Sequence, residues 1–215
     1  MLERFTDFML KEKTRKYILL ATYVAVIIGC MDFNLPPALE ISHFFIMLML
    51  IIIVGFIYLG DWIDKNSTEV KTKSTIKILA KELLMYIPIL LISWCIELIL
   101  VGEPANQIQI VEEFHKNPIR ISILAIIFAP IVEELIFRLL PYQFIKNKVV
   151  YIIVATLVFA AMHVVNDTNP LYYIWGYVVE PAYWAYRYHK TKNIWVTISM
   201  HSVGNLACIL LLIFS

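Results

Sequence analysis

Ile131-Val132-Glu133-Glu134-Leu135-Ile136-Phe137-Arg138 sets three ionisable side chains inside an apolar run that extends from Ile119 to Phe144. Charge in so apolar a segment is costly, and its presence there points to chemistry. Adjacent residues on a helix point about 100° apart, whereas residues four apart share a face. Glu134 is therefore placed to be neutralised by Arg138 in a buried ionic lock. Glu133 is left as a carboxylate in poorly solvated surroundings, which suits a general base.

The chain around this stretch is built for a membrane. Of 215 residues, 60% are hydrophobic and 16% charged, and the mean hydropathy is +0.75; soluble domains carry roughly a quarter charged residues. The net charge of +1 gives no support to nucleic-acid binding. Cys30, Cys95 and Cys208 are odd in number, far apart and embedded in apolar runs, so they read as small buried packers rather than a disulfide framework. Apolar stretches run over 17–31, 42–59, 78–101, 119–144, 149–165, 171–188 and 194–214, with turn signals such as Asn34-Leu35-Pro36-Pro37 and Gly102-Glu103-Pro104 between them. The expected fold is all-α: a polytopic transmembrane helix bundle of about seven spans, or eight helices with a surface helix in the leader counted. Residues 1–16 lack a cleavable signal, and Leu2, Phe5, Phe8 and Met9 recur at helical spacing among charges, as in an amphipathic leader lying on the membrane.

Basic residues sort by loop. Fourteen of the eighteen Lys and Arg fall in the leader and near 65–77, 146–148 and 187–192, whereas Lys116 and Arg120 stand on the other side with most of the loop carboxylates. This sorting puts the amino terminus in the cytoplasm and the carboxyl terminus outside a multi-pass cell-membrane protein.

Two later spans carry further polar groups. Phe159-Ala160-Ala161-Met162-His163 sets a ring one turn before a histidine, with two alanines that let a neighbouring helix approach. His201-Ser202-Val203-Gly204-Asn205 sets two N–H donors on one face, suited either to one developing oxyanion or to interhelical hydrogen bonds. Glu97 and Glu180 read as interfacial or cavity-lining groups without a chemical role. The aromatic residues of the sixth span, Trp175, Tyr177, Tyr183, Trp184, Tyr186 and Tyr188, read as interfacial anchors. Counted from the membrane faces at about 1.5 Å per residue, Glu133 and His163 stand ~10 Å apart in height, a gap for Pro130, Pro141 and helix tilt to close.

Glu133-Glu134-x-x-x-Arg138, Phe159-x-x-x-His163 and His201-x-x-x-Asn205, in this order on separate spans, resemble the three-motif signature of the CPBP family. These are the CAAX proteases and bacteriocin-processing enzymes, also called Abi, related to the type II CAAX prenyl endopeptidase. The resemblance covers roughly 119–214, so the chain divides into a leader (1–16), a three-span region (17–118) and a catalytic core (119–215). It implies an intramembrane endopeptidase in which Glu133 and His163 activate a water and His201 and Asn205 stabilise the oxyanion. Glu134 and Arg138 hold the first motif, Phe159 packs beside the histidine, and the site opens into a polar cavity between helices. The partners are then the lipid bilayer and a peptide or protein substrate, with no oligomeric state assigned.

By residue type Glu133, His163 and His201 also fit zinc. The sequence lacks the His-Glu-x-x-His arrangement of helix-borne zinc sites, and the resemblance is to glutamate-type enzymes, so metal-free hydrolysis without a cofactor is the favoured reading. The same resemblance also includes bacteriocin-immunity proteins, a second class in which the bundle binds a peptide without cutting it. Prenylated CAAX tails, bacteriocin leaders and signalling-peptide precursors are all substrates that it offers.

Overall fold

The computed structural model describes residues 72–102 and 104–214, together with position 21. The leader and, apart from position 21, the first two expected spans lie outside the described residues. Lys71–Ser215 forms one compact unit. Among the described residues every regular element is helical and no strand forms. That is the solution available to apolar chain whose backbone polar groups must be satisfied within each segment.

The first described helix, α1 (Thr72–Ile96), continues into a π-helical turn at Glu97–Val101. Gly102, at φ 75°, stops it by donating its N–H to the Glu97 carbonyl. A short amphipathic helix, α2 (Ala105–Lys116), follows Pro104, and the Asp167 carboxylate accepts the Ala105 N–H at 2.6 Å. Asn117 caps the next segment through Arg120 N, with Pro118 at its first turn.

The decisive run, 118–144, is an alternation rather than one regular helix. It reads α3 (Pro118–Ile123), a π-turn at Leu124–Phe128, α4 (Ala129–Glu134), a second π-turn at Leu135–Leu139, and α5 (Leu140–Phe144). Each π-turn stands just before a proline, Pro130 or Pro141. Proline has no N–H to give and its ring crowds the preceding turn, so the helix widens there.

Asn147 then caps α6 (Lys148–Val164), accepting from Val149 N and Val150 N. After a polar loop come α7 (Pro170–Tyr173), a 3-10 turn at Ile174–Tyr177, and α8 (Val179–Thr191), which ends on Lys192 in the left-handed region. The last helix is α9 (Ile194–Phe214).

Two segments, Lys77–Ile99 and Ile194–Phe214, are long and apolar enough to cross a bilayer, and Lys148–Val164 is a shorter apolar helix. Their outward faces carry exposed Leu84, Leu91, Ile153, Leu157 and Leu211. The interior holds Tyr151, Ala155, Ala185, Tyr188, Ile194 and Ile198 in one cluster. Small residues set the closest approaches: Ala155, Ala160 and Ala185 are fully buried. Ala161, expected to share that role with Ala160, is exposed.

Three sequence expectations change here. Arg187, counted among the loop charges, is buried in α8 and paired with Glu82 of α1, because an internal carboxylate at that level holds it. Cys95, read as a buried packer, is exposed on the apolar flank of α1. Trp184 and Tyr188, read as interfacial anchors, are buried, since α8 turns that face into the bundle.

Candidate active site

Glu133 lies in the last turn of α4, and its Oε2 is 3.7 Å from His163 Nε2 on α6 and 3.8 Å from His201 Nε2 on α9. The height gap counted from the membrane faces is closed by the hairpin. Measured from the shared turn at 145–147, Glu133 stands about 16 Å back along one arm and His163 about 22 Å along the other. Side chains lean toward the amino end of their own helix, so on antiparallel arms these two lean toward each other. The π-turn at Leu135–Leu139, between Glu133 and the hairpin, sets the phase of that arm.

Glu134 faces inward and is fully buried. Its Oε2 is 3.3 Å from Arg138 Nε, as the four-residue spacing requires. Its Oε1 is 3.1 Å from His201 Nδ1, a contact across 67 positions of sequence. Arg138 has the face of Phe159 4.5 Å and that of Trp184 5.4 Å from its guanidinium carbon, so two aromatic faces share its charge with one carboxylate. The Tyr151 hydroxyl donates to the Arg138 carbonyl at 3.2 Å, tying the second π-turn to α6.

Both histidines are clamped. The ring of His163 stacks on Phe159 at 4.2 Å and 24°, with Tyr177 on it at 4.9 Å, and its Nδ1 is 2.9 Å from the Phe159 carbonyl. His201 stacks on Trp184 at 4.3 Å and 21°. A carbonyl and an ionised carboxylate only accept, so both Nδ1 atoms carry hydrogen and both Nε2 atoms are turned to Glu133. One water about 2.8 Å from each of two such atoms bridges a gap of this size.

Asn205 has a partner that sequence did not indicate. Ala129 N–H donates to the Leu124 carbonyl, one residue further back than in an α-helix. The Ala125 carbonyl thereby loses its α-helical donor, and its π-helical donor would be Pro130, which has none. The Asn205 amide takes that place, donating from Nδ2 to Ala125 O at 2.7 Å. Its second amide hydrogen is not used by that bond.

Glu133, Phe159, His163, His201 and Asn205 line one cavity of about 480 Å³. Glu134 and Arg138 stand behind its wall. Further lining comes from Glu97, Tyr177, Glu180 and Trp184, to which the sequence assigned no chemical role. Their proximity is tertiary, but their signal was available: ionisable and hydrogen-bonding groups inside apolar spans. The Tyr86 hydroxyl donates to Glu180 Oε2, and Gly204 lets that pair approach α9, since a Cβ at 204 would lie 2.8 Å from the hydroxyl. Among the described residues no group of three His, Cys, Asp or Glu has a metal-holding arrangement.

Comparison with known proteins bears on this constellation. Residues 115–207 match the family model described as type II CAAX prenyl endopeptidase Rce1-like, a little under half of the chain. An uncharacterized protein of Mycoplasma capricolum subsp. capricolum is 30% identical over 122 residues, covering 53% of this chain and 36% of that protein. The chain thus spans about a third of the length of that relative. No solved structure matches it. The matched residues contain both glutamates, Arg138, Phe159, both histidines and Asn205, so all three motifs fall inside the stretch that is similar to the Rce1-like type II CAAX prenyl endopeptidases.

Proposed function

We propose that the chain is an intramembrane endopeptidase that hydrolyses a peptide bond of a membrane-associated peptide or protein. The observation that carries this reading is the convergence of His163 Nε2 and His201 Nε2 on Glu133 Oε2, at 3.7 and 3.8 Å, on the wall of a cavity about 480 Å³ in volume. Glu133 takes a proton from a water held between it and His163, and the resulting hydroxide attacks the scissile carbonyl without a covalent enzyme intermediate. His201 and Asn205 face the oxyanion from α9, where a donor of this kind typically contributes about 3 kcal/mol. Glu134 and Arg138 fix the first motif, and Phe159 fixes the ring of His163.

Hydrolysis in this reading needs no metal. The family description supports a CAAX-type substrate, whose prenyl chain would lie in the bilayer beside the bundle. The purified chain in nanodiscs is to be incubated with a farnesylated CAAX-type peptide and with the same peptide unprenylated, with and without a strong zinc chelator. Chelator-insensitive cleavage of the farnesylated peptide, lost in Glu133→Gln, is the expected result. Loss of cleavage on chelation, with recovery on adding zinc, would replace the metal-free step.

A further inference from the structure

His163 and His201 both turn Nε2 to Glu133, yet their rings are backed by different groups. The Nδ1 of His163 rests on a neutral carbonyl, that of Phe159. The Nδ1 of His201 rests on Glu134, a carboxylate with no exposure whose other oxygen is paired with Arg138. With both rings neutral, three lone-pair atoms would converge: Glu133 Oε2, His163 Nε2 and His201 Nε2. Glu133 Oε2 is buried and has no hydrogen-bond donor among the described residues. A single water held between the three supplies two hydrogens at most, and the third acceptor is then met by a proton on one of them.

The surroundings say which. His201 is faced by Glu133 and Glu134 from α4, the latter paired with Arg138 of the following π-turn, and His163 of α6 shares Glu133 Oε2 with it. From α8 comes the face of Trp184, and Glu180 lines the same cavity. The carboxylates of Glu133 and Glu134, 3.8 and 3.1 Å from its two ring nitrogens, and the face of Trp184 thus surround this ring with negative charge.

Resting on the hydrolytic reading above, we propose that Glu134 is a positioning residue that holds His201 as an imidazolium with its Nε2–H in the cavity, which makes His201 the acid of the site and Glu133 with neutral His163 the base. The step balances within the cluster. Water gives a proton to Glu133 and its oxygen bonds to the carbonyl carbon, while the carbonyl π pair moves onto oxygen and receives the Nε2–H hydrogen bond. When the C–N bond breaks, its electron pair goes to nitrogen, which takes the proton from His201 Nε2. The proton on Glu133 then returns to His201, and the products are one carboxylic acid and one amine.

Nitrogen NMR on the full chain in phosphatidylcholine nanodiscs, with ring-¹⁵N histidine, neutral pH and no substrate, tests this. Signals are assigned by their loss in His163→Gln and His201→Gln. The wild type is expected to carry hydrogen on both ring nitrogens of His201 and on Nδ1 alone of His163. Glu134→Gln, whose amide oxygen still accepts from Nδ1, is expected to strip the Nε2 hydrogen from His201, and Glu134→Asp to keep it; a purely structural role would move neither. A bare His201 Nε2 in the wild type, the proton on His163 instead, or an unchanged His201 in Glu134→Gln overturns the assignment. If Glu134→Gln does not fold, the wild-type spectrum decides. Because no substrate is present, failure here leaves the cleavage reading standing, and an absence of cleavage leaves the spectrum valid.

Discussion

Gly204 shows how closely single atoms are set around the cavity. A Cβ there would lie 2.8 Å from the Tyr86 hydroxyl and 3.2 Å from Glu180 Oε2. Tyr86 has no exposure and is held by Glu180, so it has little freedom to yield. Gly204→Ala is expected to destabilise the bundle by about 1–3 kcal/mol, the usual range for overpacking. Heat-induced loss of folded protein in detergent measures it. The same change should cost distinctly less in the Tyr86→Phe background, where the colliding oxygen is gone; equal costs in both backgrounds would remove Tyr86 as the cause. At this scale the motif residues were legible, because an ionisable side chain inside an apolar run stands out without any structure. The Glu134–Arg138 pair was legible too, being four residues apart on one helix. The Glu134–His201 bond was not, since its partners are 67 positions apart and nothing local joins them. Trp184 was misread for a related reason: an aromatic residue near the end of a span has the same appearance whether it faces lipid or stacks on His201.

Among elements, the broken helix at 118–144 carries the most consequence. Its π-turns before Pro130 and Pro141 set the phase at which Glu133 and Arg138 leave the backbone, and the first leaves the Ala125 carbonyl for Asn205. Asn205→Ala should therefore leave a part-buried carbonyl without its donor, at a cost of about 1–3 kcal/mol. Pro130→Ala restores a backbone N–H at position 130, so the two substitutions should couple: Asn205→Ala is expected to cost less in the Pro130→Ala background. A double-mutant cycle on unfolding in detergent reads the coupling, and strict additivity would show that Asn205 does not serve that carbonyl. The prolines themselves were visible in sequence as kink sites. What they do here was not, because a proline in an apolar run is compatible with a bend, a break or a widened turn, and tertiary partners decide among these.

Across the whole molecule, the apolar spans and the convergence of three of them on one cavity agree with each other. The helical class followed from composition, since a chain this apolar must satisfy its backbone internally. Arg187 marks where reading by charge alone fails: a basic residue near a span end counts as a loop charge until Glu82 is seen opposite it. If Glu133 is the base of a peptide-bond hydrolysis, as proposed, removing it should cost about the 10²–10⁴-fold typical of a general base. Glu133→Gln keeps the shape of the side chain and removes its basicity. The most direct measurement compares peptide termini by quantitative mass spectrometry, in membranes and medium of cells carrying the wild type or Glu133→Gln at matched abundance. Termini present with the wild type and absent with the variant, sharing one cleavage sequence, are the predicted result. Identical termini in the two, with a phenotype such as peptide resistance surviving the substitution, would contradict it and leave a peptide-binding protein in its place.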